Sequence, residues 1–258
     1  MGVVNVTPDS FSDGGVHLDP PDAIAAARRM VAEGAAIVDV GGESTRPGSE
    51  GVPLHEELRR VVPVLEGLEG IPVSIDTSKA NVARRALELG AELVNDVTAL
   101  RSDPSLAEVV AEYGAFVCLM HMQGEPRTMQ RHPTYGDVAS DVAGFLEERL
   151  RFATDHGIPE QNVCLDPGIG FGKTVAQNFE LVRRLGVLTA LGRPVLVGFS
   201  RKSSLARLLG DANGTVGTLA ASIAAAVTAY ERGATMLRVH DVAEHVEALT
   251  VAAAVTAA

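Results

Sequence analysis

The chain has 258 residues, of which 46% are hydrophobic and only 4% aromatic, with a formal net charge of −11 and a pI near 5.1. This acidic balance argues against binding to nucleic acid or to an anionic membrane, because either partner would need a broad basic surface. The N-terminal residues do not resemble a signal peptide, and no apolar run is long enough to span a membrane, so we expect a soluble protein of the cytoplasm.

Eight short apolar runs recur along the chain, and each has a length suited to a buried β-strand. They lie at residues 3–4, 37–38, 73–75, 93–94, 116–120, 163–165, 195–197 and 237–239. Segments with helical periodicity lie between them, at 22–32, 56–68, 80–89, 138–154, 178–191 and 217–231, and the Ala-rich segment 242–256 follows the last run. Glycines at 34, 90, 114 and 233 are placed to end helices. This alternation predicts a parallel sheet with crossover helices.

The number of runs and the chain length together indicate a (β/α)8 TIM barrel, which uses about 250 residues as a single domain. We therefore predict one α/β domain over residues 1–258. In such a barrel the active site lies at the carboxyl ends of the strands, and here polar residues follow every run directly. Two loops, at 7–19 and 41–53, are longer than a barrel needs and are typical of lids or binding loops. The pattern predicts an enzyme.

Several charged residues stand at the predicted strand ends. Asp76 and Asp166 each follow an apolar run, where a carboxylate is costly unless it is paired or binds N–H groups of a ligand. Lys202, Arg238 and His240 follow the seventh and eighth runs, whose loops often bind phosphate in barrels. Structural ion pairs are the alternative interpretation of these residues.

Two other patterns are less informative. The segment Gly172-Lys173-Thr174 resembles the end of a P-loop, but Pro167 stands where that motif needs its first glycine. Cys118 and Cys164 fall within predicted strands, so we expect buried free thiols in a reducing compartment.

Seven strings of the sequence resemble, in order, the motifs of the dihydropteroate synthases. They are NVTPDSFSDGG at 5–15, GESTRPG at 42–48, IDT at 75–77, ND at 95–96, DPGIGFGK at 166–173, SRKS at 200–203 and RVHD at 238–241. The resemblance extends over nearly the whole chain. It implies a pterin-binding TIM barrel that joins 6-hydroxymethyl-7,8-dihydropterin diphosphate to 4-aminobenzoate in folate biosynthesis. The products would be 7,8-dihydropteroate and diphosphate.

The resemblance also implies a role for each matched residue. The pterin site would contain Asp76, Asn95, Asp166, Phe171 and Lys202. The diphosphate site would contain Asn5, Thr45, Arg46, Arg238 and His240, with Asn5 a ligand of the cofactor Mg²⁺. The aminobenzoate site would contain Phe11, Thr45, Pro47 and Ser203. The catalytic residues would be Asp76, Lys202 and Arg46.

By the same resemblance, the reaction proceeds by loss of diphosphate to give a pterin-stabilised carbocation, which the neutral aromatic amine attacks. Asp76 would stabilise the cation, and Mg²⁺ and cationic side chains would stabilise the leaving group. The two long loops would close over the pterin, so diphosphate and pterin would bind before the amine. Sulfonamides would compete with 4-aminobenzoate.

Two other functions remain open at this point. A pterin-binding methyltransferase acting on methyltetrahydrofolate would share the carboxylates and the asparagine, but it would have no use for Mg²⁺. A non-catalytic pterin-binding protein would keep the same scaffold. The family also implies a homodimer, for which the Ala-rich segments 216–229 and 242–256 are candidate faces, although burial against the barrel is the alternative.

Overall fold

In a computed structural model of the chain, the described residues are 1–7, 19–46 and 48–256. Strands and helices alternate throughout these ranges. The strands are β1 (Gly2–Asn5), β2 (Val38–Gly41), β3 (Val73–Asp76), β4 (Leu93–Asp96), β5 (Phe116–Met120), β6 (Val163–Asp166), β7 (Leu196–Val197) and β8 (Met236–Leu237). The helices are α1 (Pro20–Ala32), α2 (Leu54–Glu66), α3 (Ala80–Glu88), α4 (Ser105–Tyr113), α5 (Val138–Asp155), α6 (Val175–Arg183), α7 (Gly186–Thr189), α8 (Ser203–Leu208), α9 (Leu219–Glu231) and α10 (Val242–Thr256).

The eight strands close into a barrel. β1 to β6 form one parallel sheet in chain order, and β7 pairs with β8, also in parallel. A bridge between Leu165 and Val195 joins the sixth strand to the seventh, and a bridge between Gly2 and Val239 joins the eighth to the first. The predicted α/β TIM barrel is therefore confirmed.

Two apolar layers hold this barrel together. The interior contains a small cluster formed by Leu93, Cys118, Cys164 and Leu196, all buried. Residues of the opposite strand face, such as Val94, pack outward against the helices in a much larger cluster. This division follows from the two-residue period of a strand, which turns successive side chains to opposite faces. Burial of each such aliphatic side chain contributes roughly 1.5–3 kcal/mol.

The helix predictions need one correction. The segment predicted as one helix at 178–191 is divided into α6 and α7, because the chain leaves helical geometry at Arg184, before Gly186. α6 also starts earlier than predicted, because Thr174 caps its N-terminus. The short helix α4 ends directly before Gly114, as that glycine predicts, and the short helix α8 begins at Ser203. The four helix-ending glycines all have the predicted positive φ, for example 60° at Gly114. Within the described ranges, no helix is long and apolar enough to span a membrane.

Candidate active site

The carboxyl ends of the strands surround a deep cavity of about 50 Å³. Beside it lies a larger cleft of about 700 Å³, and Thr45, Asp76 and Val97 line both. The deep cavity is lined by Thr45, Asp76, Asn95, Val97, Met120, Asp166, Phe171, Gly198, Ser200, Lys202, Arg238 and His240. The fold therefore brings together all five residues predicted to bind a pterin and three of those predicted to bind diphosphate.

The guanidinium of Arg238 lies between two carboxylates. Its Nε donates to Asp39 Oδ2 at 2.6 Å, and its Nη2 donates to Asp76 Oδ2 at 3.0 Å. Burial, and then the charge of Asp39, raise the pKa of Asp76 to about 8, because one guanidinium serves both carboxylates. Burial alone would lower the pKa of Arg238, but Asp39 and Asp76 outweigh it and raise that pKa above its usual value.

Asp39 was not singled out from the sequence. It lies within β2, is fully buried, and accepts a second hydrogen bond from Asn95 Nδ2 at 3.0 Å. The signal that would have identified it is a carboxylate inside an apolar run, because such a group is costly without partners.

Asp166 and Lys202 both line the deep cavity and interact through their charges. Asp166 Oδ1 accepts from the backbone N–H of Gly168 at 2.7 Å. Burial raises the pKa of Asp166, and the charge of Lys202 partly opposes this shift. The Lys202 ammonium donates to the carbonyl of Ile169 and lies 4.9 Å from the ring centroid of Phe171. Burial lowers the pKa of Lys202 to about 8, so this amine can exchange its proton near neutral pH.

The glycine-rich loop after β6 is fixed from below by Lys173. Its buried ammonium lies 2.8 Å from Nδ1 of His121 and donates to the carbonyls of Gly168 and Phe171 at 3.1 and 3.0 Å. A Cβ on Gly168 would lie 1.9 Å from the carbonyl oxygen of His121, so only glycine allows this close approach. Thr174 caps α6. The segment Gly172-Lys173-Thr174, which resembles the end of a P-loop, therefore supports the Phe171 loop structurally.

His240 lies among cations. Its Nδ1 is 3.1 Å from the hydroxyl of Ser200. Burial first, and then the charges of Arg238, Arg201 and Arg46, lower the pKa of His240 to about 3, so its imidazole is neutral. Three guanidinium groups near one neutral imidazole suit a polyanionic ligand.

Arg201 is a further member of this group that was not predicted as a site residue. Its side chain pairs with Asp241, with Nε 3.0 Å from Oδ2, and its backbone N–H donates to Ser222 Oγ at 2.9 Å. Its φ of 57° lies in the left-handed region that residues with a Cβ seldom adopt. Strain of this kind is concentrated at functional sites.

The loop after β2, which carries Thr45 and Arg46, is fastened by a partly buried ion-pair cluster. The Lys79 ammonium pairs with Glu43 and, at 2.5 Å, with Glu57, which is fully buried. Glu57 also accepts from the Thr77 hydroxyl at 2.6 Å. Glu43, at the start of the loop, accepts from a backbone N–H near its end at 3.2 Å. Both ends of the loop are therefore tied to α2 and to the segment after β3.

Five predicted site residues do not line the two cavities or lie outside the described ranges. Arg46 follows Thr45 in the loop after β2, is partly exposed, and is absent from the lining of both cavities. Asn5 ends β1 and is partly exposed, and Ser203 begins α8 and is half-buried; neither of these described residues lines the two cavities. Phe11 and Pro47 lie outside the described residues. In the part of the chain that is described, no three His, Cys, Asp or Glu side chains are grouped to hold a metal ion.

Comparison with known proteins assigns the family. Residues 1–240 match the family of pterin binding enzymes. The dihydropteroate synthase of Escherichia coli strain K12 is 46% identical over 261 residues, which cover 100% of this chain and 92% of that protein.

Two solved structures are similar over the full length. The Yersinia pestis dihydropteroate synthase, in complex with a sulfonamide drug, has a TM-score of 0.94 at 44% identity, covering 100% of this chain and 94% of the other. The Xanthomonas albilineans dihydropteroate synthase with 4-aminobenzoic acid has a TM-score of 0.89 at 48% identity, covering 100% and 93%. The chain therefore belongs to the pterin-binding enzyme family, in its dihydropteroate synthase branch.

Proposed function

We propose that this protein is a dihydropteroate synthase that condenses 6-hydroxymethyl-7,8-dihydropterin diphosphate with 4-aminobenzoate to give 7,8-dihydropteroate and diphosphate. One observation carries the proposal: two buried carboxylates, a buried amide and a lysine line one cavity beside a group of guanidinium side chains. An aminopyrimidine rich in N–H donors and a diphosphate are the two halves of a ligand that such a cavity complements.

In this proposal the pterin lies in the deep cavity. Asp76, Asp166 and the carbonyl oxygen of Asn95 accept hydrogen bonds from its N–H groups, and Phe171 covers one face of the ring. The Lys202 ammonium lies 4.9 Å from the ring centroid of Phe171, where it would obstruct a ligand stacked on that ring. We therefore infer that the Lys202 ammonium leaves the Ile169 carbonyl when the pterin binds and donates to the ring instead.

The bond between the pterin methylene carbon and the diphosphate oxygen breaks first, and the electron pair leaves with the diphosphate. Arg46, Arg238, His240 and Thr45 bind that leaving group, and Asp76 stabilises the positive charge that develops on the pterin. The amine of 4-aminobenzoate then attacks the methylene carbon, and the proton it loses passes to the departing diphosphate. Exclusion of water by the surrounding loops protects the cation from hydrolysis.

The aminobenzoate site adjoins the methylene carbon. Thr45 lines both the deep cavity and the larger cleft, which supports its place between the two substrates. We propose that Ser203 binds the carboxylate of 4-aminobenzoate and that Phe11 and Pro47 contact its ring. Sulfonamides then compete with 4-aminobenzoate and not with the pterin.

The site could hold Mg²⁺ if Asn5 supplied one protein oxygen and the substrate phosphates and water supplied the other ligands. Mg²⁺ is commonly held by one or two protein oxygens together with substrate phosphates and water. Asn5 offers an amide oxygen at the carboxyl end of β1, next to Gly41, which has no side chain to obstruct it. When bound with the substrate, the ion neutralises charge on the departing diphosphate.

Replacing Asn5 by Ala is expected to raise the Mg²⁺ concentration for half-maximal activity by about tenfold, because the ion loses its protein oxygen. Titration of activity with Mg²⁺ at saturating substrates measures this. Asn5→Asp keeps an oxygen ligand and is expected to restore the wild-type requirement. An unchanged Mg²⁺ requirement in Asn5→Ala would remove Asn5 from the metal site.

We also propose that residues 1–258 form one pterin-binding domain and that the protein works in the cytoplasm. The bridge between Gly2 and Val239 pairs the first strand with the last. This closure supports a single domain, because both ends of the chain then belong to the same barrel. Cys118 and Cys164 are register partners on neighbouring strands, yet both are free thiols. Unbridged neighbouring thiols are typical of a reducing compartment.

We propose in addition that the protein is a homodimer that pairs through α9 and α10. Val251 and Val255 are 62% and 71% exposed and lie one helical turn apart on α10. The double variant Val251→Glu/Val255→Glu is expected to sediment as a monomer, because two carboxylates would be buried at the interface. Phe116→Glu, at a 48% exposed residue elsewhere, is the control and should leave the sedimentation coefficient unchanged. A double variant that sediments as the wild type does would place the interface elsewhere.

The direct test of the function is release of diphosphate from the pterin diphosphate, followed together with the mass of dihydropteroate. Product that requires 4-aminobenzoate and Mg²⁺ establishes the synthase reaction. A folded protein that binds pterin without forming product would favour the binding-protein hypothesis, and methyl transfer from methyltetrahydrofolate would favour the methyltransferase.

A further inference from the structure

A carboxylate lies below the proposed pterin site, where it is not among the residues that line the cavity. Asp39 is fully buried in β2, and its register partner on β3 is Ser74. Two residues further along the same strands, Gly41 pairs with Asp76. Because strand residues two apart share a face, Asp39 is one layer deeper in the barrel than Asp76.

Asp39 uses one oxygen for two side chains of the site above it. Its Oδ2 accepts from Arg238 Nε at 2.6 Å and from Asn95 Nδ2 at 3.0 Å. Among the described residues its Oδ1 has no hydrogen-bond partner, although it is buried, and the same is true of the Ser74 hydroxyl. A structural ion pair selected for stability alone would be expected to satisfy both carboxylate oxygens.

The chemistry of these contacts fixes an orientation. A carboxylate only accepts hydrogen bonds, so the Asn95 amide must turn its NH₂ group toward Asp39. The amide carbonyl oxygen is then directed away from Asp39, and Asn95 itself lines the cavity. In the same way, the hydrogen bond from Arg238 Nε to Asp39 fixes the orientation of the guanidinium. In that orientation Nη2 donates to Asp76.

We propose that Asp39 is a positioning residue for pterin recognition: it fixes the Asn95 amide with its oxygen toward the ligand and holds the Arg238 guanidinium against Asp76. This inference rests on the proposed pterin site. The cavity then presents acceptor oxygens from Asp76, Asn95 and Asp166, a set that complements the N–H groups of an aminopyrimidine.

Asp39→Asn tests the proposal at nearly constant volume. An asparagine here can donate as well as accept, so the Asn95 amide is free to reverse and Arg238 loses a charged partner. We expect the Kd for 6-hydroxymethylpterin, measured by calorimetry, to rise about tenfold or more. The KM for 4-aminobenzoate should change less than about twofold, because that substrate contacts neither side chain.

Ser74→Ala is the matched control. It alters the register neighbour of Asp39, also fully buried, without touching Asn95 or Arg238. We expect its pterin Kd to stay within about twofold of wild type. A comparable loss in Ser74→Ala would mean that any disturbance of the barrel interior weakens binding, and the proposal would be wrong.

A double-mutant cycle separates positioning from general destabilisation. In an Asn95→Ala background, Asp39→Asn should weaken pterin binding by no more than about threefold, because the amide that Asp39 orients is gone. The same tenfold loss in both backgrounds, or a folded Asp39→Asn protein with wild-type affinity, overturns the inference. Wild-type protein that binds no pterin overturns the proposed function instead, so the two failures are distinguishable.

A measurement on the unaltered protein covers the case in which Asp39→Asn does not fold. The side-chain amide of Asn95, assigned in a ¹⁵N spectrum by its absence from Asn95→Ala, should exchange slowly with solvent before any ligand is added. Fast exchange of that amide would show that it is not held by Asp39, which contradicts the proposal.

Discussion

Asp76→Asn is expected to lower kcat by about 10²- to 10³-fold, while pterin affinity stays within about tenfold of wild type. The asparagine keeps the shape and one acceptor oxygen of the carboxylate, but it carries no negative charge to stabilise a cation on the pterin. The loss therefore falls on an interaction that is stronger in the transition state than in the ground state. Single-turnover formation of dihydropteroate, measured together with pterin binding, checks both parts.

Asp166→Asn provides the matched control for Asp76→Asn. Both carboxylates are buried and line the same cavity, but Asp166 is bound to the backbone N–H of Gly168 and faces Lys202, not Arg238. We expect this variant to weaken pterin binding more than it lowers kcat. Equal losses of kcat in the two variants would remove the special role of Asp76 in stabilising the cation.

The pH dependence of the reaction provides an independent check of the Asp76 variant. Burial and Asp39 raise the pKa of Asp76 to about 8, and burial lowers that of Lys202 to about 8. In wild type, kcat/KM should rise as Asp76 ionises and fall as Lys202 loses its proton, giving a bell-shaped profile. Asp76→Asn should lack the rising limb. A rising limb that persists in Asp76→Asn would assign it to another group.

Asp76→Asn should be more stable than wild type at alkaline pH, although it is less active. Because the pKa of Asp76 is higher in the folded state than its ordinary value of 3.8, the folded protein binds this proton more tightly. That contribution is present at low pH and is lost as the pH rises through about 8. Above this pH the wild-type protein carries a second buried carboxylate on one guanidinium, so the Tm of Asp76→Asn should exceed that of wild type.

The fold could be predicted from the sequence because its signal is local and repeated. Each strand is an apolar run followed by polar residues, and each helix has its own periodicity, so errors in single elements do not change the barrel. The error that did occur concerns one segment. Residues 178–191, predicted as one helix, form α6 and the four-residue α7, which is too short for a periodic pattern to separate from its neighbour.

The outer part of the site was predictable for the same reason, since strand ends in a barrel meet at one face. The deeper layer of the site, which contains Asp39, could not be predicted from the sequence. Asp39 and Arg238 are 199 positions apart, and which guanidinium partners which carboxylate depends on strand register and side-chain rotamers. The fastening of the loop after β2 depends likewise on Glu57, a residue of α2 that reads as part of a solvated helix face but is fully buried.

Lys202→Met is expected to lower kcat/KM for the pterin diphosphate by about 10²- to 10³-fold, because the site loses the only ammonium among the side chains known to line the deep cavity. Methionine keeps the length of the apolar stem and its contact with Phe171, so the expected loss comes from the charge and its hydrogen bonds. Steady-state kinetics with the pterin diphosphate as the varied substrate measures the effect. The falling, alkaline limb of the pH profile should disappear at the same time.

Arg207→Met is the matched control for charge, because Arg207 is an exposed cation on α8, the helix that follows Lys202 directly. It should leave kcat/KM within about twofold of wild type.

Lys202→Arg, which keeps the charge, should not restore activity. A Cβ on Gly170 would lie 3.2 Å from Lys202 Cδ, and one on Gly198 would lie 3.9 Å from Nζ, so the lysine stem passes closely against two glycine backbones. A planar guanidinium needs more room than that passage gives, so arginine could not make the movement onto the pterin ring that we propose for Lys202. Full activity in Lys202→Arg would show that only charge matters at this position and that the lysine makes no directed bond to the ring.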